Sequence, residues 1–135
     1  MSRHVLFMVD DDEDDRLFIQ ESLNMPGDRQ IELFSDGTSL LNTLEHLEHD
    51  ELPQMIVTDL NMPGMNGYDL LEALKSNKQF GHIPVVVFST SRNALNRERC
   101  LRAGAAQYQV KPNSFTEFAT VIRSLLARAQ SKMAY

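Results

Sequence analysis

"HVLFMVDDDEDD", residues 4–15, sets a run of apolar side chains directly against six acidic ones. The first half is almost continuously apolar, the pattern of a strand buried on both faces of a sheet. Four more runs are similarly short: "QIELF" (30–34), "QMIVT" (54–58), "IPVVVFS" (83–89) and "AQYQV" (106–110). "QMIVT" and "IPVVVFS" are as continuous as the first and read as central strands. "QIELF" and "AQYQV" alternate and read as edges.

Longer amphipathic stretches separate these runs. Residues 14–24 follow the acids and stop before "MPGD", a helix-ending turn. Residues 37–48 carry Leu40, Leu41, Leu44 and Leu47 on one face, and residues 67–76 carry Leu70, Leu71 and Leu74. Residues 93–103 carry Ala94, Leu95 and Leu101 and end at Gly104. In "SFTEFATVIRSLLARA" (114–129), Phe115, Phe118, Ile122, Leu125 and Ala129 form a stripe behind Ser114, a candidate N-cap. A strand followed by a helix, five times over, predicts an α/β domain: a parallel sheet with right-handed crossovers and helices on both faces. No linker or repeat divides the chain. The reading is one domain over 1–135, with its core at about 4–128 and a frayed tail at 129–135.

The 135 residues carry 13 basic and 19 acidic side chains, a net charge of −6. That balance argues against sequence-independent binding to nucleic acid and against docking on anionic membranes. The single cysteine, Cys100, excludes an internal disulfide and fits a reducing cytoplasm. The apolar run after the N-terminus is too short for a secretory signal, and no stretch approaches the length of a membrane span. The expectation is a soluble cytoplasmic protein.

In an open parallel sheet, ligands bind beyond the carboxyl ends of the strands. Asp10 and Asp11 follow the first strand, Asp59 the third, Ser89 with Thr90 and Ser91 ends the fourth, and Lys111–Pro112 follows the fifth. Three carboxylates, a hydroxyl and an ammonium thus share one rim. Two like charges at 4 Å repel by roughly 4 kcal/mol at an effective dielectric near 20, so clustered carboxylates call for a cation. A few hard oxygen ligands suit Mg²⁺. The acids at 12–15 start a helix, whose N-terminal dipole favours negative charge, with Asp12 as candidate N-cap.

This set resembles the receiver domain of two-component response regulators, over roughly residues 4 to 128. The marks are Asp10–Asp11, "TDLNMPGMNG" around Asp59, Ser89 and Lys111–Pro112, in the family's order and at its intervals. The resemblance implies a (βα)5 doubly wound, flavodoxin-like sheet of order 2-1-3-4-5. It implies Asp59 as phosphoacceptor, with Mg²⁺ held by Asp11, by Asp10 through water, by Asp59 and by the backbone carbonyl of Asn61. Lys111 is implied as a phosphate ligand turned inward by a cis bond to Pro112. Ser89 and Tyr108 are implied as the switch pair, the tyrosine moving inward as the serine moves. In "MPGMNG" (62–67), a turn rich in proline and glycine, Gly67 reads as the residue that lets the chain turn into the next helix. Asn113 stands where an apolar residue is frequent in the family.

The function so implied is a phosphorylation switch that catalyses its own phosphotransfer and slow self-dephosphorylation and no other reaction. A sensor histidine kinase or histidine phosphotransfer protein would be the donor. The acids at 12–15 and "FSTSRN" look similar to stand-alone receivers that serve phytochrome-type kinases. With no DNA-binding output domain expected, the signal passes to a downstream protein through the fourth helix, fifth strand and fifth helix, a face that also suits a homodimer. An Mg²⁺-dependent phosphohydrolase is a second reading, but the second aspartate common to such enzymes is replaced by Asn61. A non-phosphorylated binding module is a third, but no acid and no lysine is missing. His46 and His49, three apart on an expected helix, read as surface residues, and "MPGMNG" lacks the Gly-x-x-x-x-Gly-Lys pattern of a phosphate loop.

Overall fold

Five short strands form one parallel sheet in the order β2-β1-β3-β4-β5. The computed structural model describes residues 5–22 and 31–133. The elements are β1 (Leu6–Val9), α1 (Glu13–Ser22), β2 (Ile31–Phe34), α2 (Gly37–Glu45), a 3-10 segment (His49–Glu51), β3 (Met55–Thr58), α3 (Gly67–Ser76), β4 (Val85–Ser89), α4 (Ala94–Arg102), β5 (Gln107–Val110) and α5 (Phe115–Met133). The expected strand start at residue 4 and the "MPGD" turn at 25–28 lie outside the described residues.

Side-chain alternation divides the core into two layers. Phe7, Val9, Ile56, Val85 and Val87 pack on Leu40 and Leu44 of α2, Leu70, Leu71 and Leu74 of α3, and Cys100 of α4. Leu6, Met8, Met55, Val57, Val86 and Phe88 pack on Ile19 of α1 and Phe118, Ile122, Leu125, Leu126 and Ala129 of α5. Every residue of β1, β3 and β4 is buried, as their continuous apolar runs predict, whereas β2 and β5 are mostly half-buried edges.

The helices start on side-chain caps. Asp12 Oδ1 accepts the Asp14 and Asp15 N–H groups at the head of α1. Asp36, Asn66 and Asn93 cap α2, α3 and α4, and Ser114 Oγ accepts the Glu117 N–H at the head of α5.

Four expectations change. On α4, Leu95 is 74% exposed and Ala94 is also exposed, so the inward residues are Cys100 and, in part, Leu101. On α5, Phe115 is 44% exposed. The helix runs on through residues expected to fray, because Ala129 is fully buried and anchors its last turns. His46 and His49 do not share a helix: His46 ends α2, with its Nδ1 2.7 Å from the Asn42 carbonyl, and His49 begins the 3-10 segment.

Gly67 is glycine for a different reason from the one expected. Its backbone needs no left-handed φ; the positive values belong to Gly64 and Gly104. A Cβ on Gly67 would lie 2.1 Å from the Asp59 carbonyl oxygen and 2.8 Å from Leu60 Cα. Gly67→Ala is therefore expected to destabilise the fold by about 2–3 kcal/mol. At Gly64 a Cβ meets nothing within 4 Å, and only its φ of 74° opposes substitution, so Gly64→Ala should cost about 1–2 kcal/mol. Urea unfolding of the two variants checks the order.

Candidate functional site

The sheet ladder delivers the rim residues. Asp10 N–H donates to the Phe34 carbonyl at 3.0 Å, Asp59 N–H to Val9 at 2.9 Å, and Lys111 N–H to Ser89 at 2.7 Å. Each is the first residue past its strand, bonded to the last residue of the neighbouring strand. Strand register alone therefore aligns segments more than 100 residues apart.

Side chains from these segments then meet. One carboxylate oxygen each from Asp10, Asp11 and Asp59 lies within 4.8 Å of the others. Lys111 Nζ donates to Asp10 Oδ2 at 2.8 Å, to Asp15 Oδ2 at 2.8 Å and to Asp59 Oδ2 at 3.0 Å. β5 and β3 are separated by β4, a gap of about 10 Å at two strand spacings. Only a long side chain crosses it. The Lys111 stem does so past Phe88, whose ring centroid is 5.7 Å from Nζ.

Asp10 is almost wholly buried. Burial pushes its carboxyl up to about 7, against the opposing pull of the Lys111 ammonium. Burial acts on Lys111 in the other sense, but the bonds and charges of Asp10, Asp15 and Asp59 outweigh it and hold the ammonium above the ordinary lysine range. Asp10 is fixed from two further sides. Its Oδ1 accepts the Asp12 N–H at 3.0 Å, and its carbonyl accepts Arg16 Nη1 at 2.7 Å. Asp11 is exposed at the mouth.

The donor set fits Mg²⁺. Three hard carboxylate oxygens converge, one residue buried and one open to water, as an ion that keeps part of its hydration requires. Asn61 is exposed two residues beyond Asp59.

Ser89 is fully buried at the end of β4, and its Oγ accepts the Ser91 N–H at 3.1 Å. Thr90 is exposed and lines a cleft of about 240 Å³ with Asp12, Asp15, Lys111 and Pro112. Tyr108 is already turned inward, 8% exposed, with its hydroxyl donating to the Ser91 carbonyl at 2.9 Å. The expected cis bond between Lys111 and Pro112 is absent: no described peptide bond is cis. The trans form is favoured by about 0.5–1 kcal/mol before proline, and the lysine stem reaches the carboxylates without it.

Sequence reading missed Asp15. Its place in the first turn of α1 suggested a partner for the helix dipole alone, whereas its carboxylate bonds Lys111. No local spacing signals a partner 96 residues away.

Comparison with known proteins follows the same lines. Residues 6–123 match the family model of the response regulator receiver domain. The Synechocystis response regulator Rre1 is 29% identical over 126 residues, covering 93% of this chain and 53% of Rre1. The chain thus spans about half the length of that relative. The crystal structure of the phosphorylated cyanobacterial phytochrome response regulator RcpA superposes with a TM-score of 0.80 at 26% identity, covering 92% of this chain and 91% of RcpA. The Mn²⁺-bound form of the response regulator Rcp1 gives 0.76 at 25% identity, covering 90% and 91%.

The raised Asp10 carboxyl carries a sign. Near neutrality the fold holds a proton that the unfolded chain, with an ordinary aspartate value, has released, so stability falls as pH rises through about 7. In chelator, going from pH 6 to pH 8 should lower stability by about 1 kcal/mol, or roughly 4 °C in thermal midpoint. Asp10→Asn should flatten that drop in a calorimetric scan.

Proposed function

The chain belongs to the response regulator receiver domain family, and from that premise we propose that Asp59 accepts a phosphoryl group from a sensor histidine kinase or a histidine phosphotransfer protein, with Mg²⁺ as cofactor. The observation that carries this reading is the convergence of Asp10, Asp11 and Asp59 within 4.8 Å, with the Lys111 ammonium 3.0 Å from Asp59 Oδ2.

In the reaction, one Asp59 carboxylate oxygen attacks phosphorus while the bond from phosphorus to the donor imidazole nitrogen breaks. The bonding pair returns to that nitrogen, leaving an acyl phosphate on Asp59. Asp11 directly, Asp10 through water, the second Asp59 oxygen and the Asn61 carbonyl are the residues that would hold Mg²⁺. When bound, the ion neutralises the oxygens of the phosphoryl group in transfer. Lys111 donates to one phosphoryl oxygen as a point charge. Later attack by water on phosphorus returns the free carboxylate, a slow self-dephosphorylation, and no other catalysis is proposed.

Ser89 and Tyr108 connect this event to the surface. The Ser89 oxygen accepts from Ser91 N–H and retains its own proton for a phosphoryl oxygen, while Tyr108 bonds the carbonyl of the same Ser91. A Ser89 that turns toward the phosphoryl group releases Ser91, and with it the loop into α4 and the tyrosine. The altered face of α4, β5 and α5 then meets a downstream protein or a second copy of the chain. The apolar stripe of α5 is largely packed within the chain, so such a homodimer would draw on exposed groups such as Leu95.

RcpA is a phytochrome response regulator, and a phytochrome-type kinase is our choice of donor on that likeness. Among the described residues no helix is long and apolar enough to cross a membrane, and the net charge of −6 disfavours nucleic acid as a target. A cytoplasmic location fits both.

Incubation with acetyl phosphate and Mg²⁺ should add one phosphoryl group per chain by intact-mass measurement. Asp59→Asn or an excess of chelator should abolish the gain. Full labelling of Asp59→Asn would overturn the assignment.

A further inference from the structure

We propose that Asp15 is a positioning residue for phosphoryl transfer, its carboxylate aiming the Lys111 ammonium at the incoming phosphoryl group. The inference rests on the reading of Asp59 as acceptor and adds a residue that the resemblance does not assign.

Lys111 has three ammonium protons, and the structure gives each a carboxylate: Asp10, Asp15 and Asp59. Two of these partners have competing duties. Asp59 surrenders an oxygen to phosphorus, and Asp10 belongs to the oxygen cluster that suits a divalent cation. Asp15 stands outside that cluster, 2.8 Å from Lys111 Nζ, with a side chain 20% exposed. It is the one carboxylate of the three whose bond to the lysine survives both events.

The backbone that carries Asp15 is held for this purpose. Its N–H bonds the Asp12 cap at 3.3 Å, and α1 is pinned by fully buried Ile19 and by Arg16, which bonds the Asp10 carbonyl. The lysine, in contrast, hangs on four rotatable bonds across two strand spacings. Without a fixed partner its ammonium has more positions to sample, and misplacement of a charge-stabilising group lowers the rate of the chemical step. The cleft of about 240 Å³ lined by Asp15, Thr90 and Lys111 opens beside this bond.

The test is a double-mutant cycle on single-turnover phosphorylation by acetyl phosphate, followed by quenched-flow mass spectrometry. Attack by the Asp59 oxygen breaks the phosphorus–oxygen bond, and acetate leaves with the electron pair. Asp15→Asn is expected to slow labelling about tenfold while calorimetric Mg²⁺ affinity and thermal midpoint stay close to the parent's. Asp15→Asn added to Lys111→Ala should slow labelling no further than Lys111→Ala alone, since the effect runs through the lysine. An unchanged or faster Asp15→Asn overturns the proposal, as does a full multiplicative loss in the double variant, because the carboxylate then acts without the lysine. A parent that takes no label at Asp59 sinks the acceptor reading and this inference with it. A labelled parent, slowed by Lys111→Ala and untouched by Asp15→Asn, sinks this inference alone.

Discussion

The ammonium of Lys111 is the element on which the rim depends. Its side chain is only 6% exposed, and it is bonded by carboxylates from the end of β1, the first turn of α1 and the end of β3. Each of those acids would repel the other two in its absence. Burying a cation is itself unfavourable and is sustained here because all three protons find carboxyl oxygens at 2.8–3.0 Å. The arrangement also explains how six consecutive acids coexist. Asp10 and Asp15 share the lysine, exposed Asp11 joins Asp10 and Asp59 in the carboxylate cluster, and Asp12 caps α1. Glu13 and Asp14 sit in that helix's first turn, where its dipole favours negative charge.

Backbone geometry supplies the precision. Asp10, Asp59 and Lys111 are each one residue past a strand and each donate into the ladder of a neighbour. A one-residue slip of β3 would exchange the side chains packed in its two core layers and carry Asp59 off the rim. The fully buried faces of β1, β3 and β4 forbid that slip. The same apolar runs that build the core therefore fix the chemistry at their ends.

Much of this was legible in the residues. The uninterrupted runs at 54–58 and 83–89 distinguished central strands from the alternating edges, and strand ends pointed to Asp10, Asp11, Asp59, Ser89 and Lys111 before any distance was known. What escaped depended on three-dimensional detail that spacing does not encode. Leu95 looked inward by periodicity, yet α4 turns only Cys100 fully to the core. The partner of Asp15 lies 96 residues away. Gly67 looked like a flexible turn residue, and only the approach of the Asp59 carbonyl reveals that its missing side chain is what matters. The bond at Lys111–Pro112 is trans, against the resemblance, and the lysine reaches the carboxylates across it all the same.

The Gly67 contact has a mechanical consequence. Its N–H bonds the Leu60 carbonyl at 2.8 Å, and its Cα leaves no room beside the Asp59 backbone. Behind it α3 is seated by four buried residues, Gly67, Leu70, Leu71 and Leu74, whereas α4 has Cys100 alone. Asp59 thus rests against an anvil on the α3 side, and the firmness of the packing falls from α3 to α4. A push at the Asp59 carboxylate meets a rigid backstop at α3, so the sparsely buried α4 is the neighbouring helix that gives at least cost.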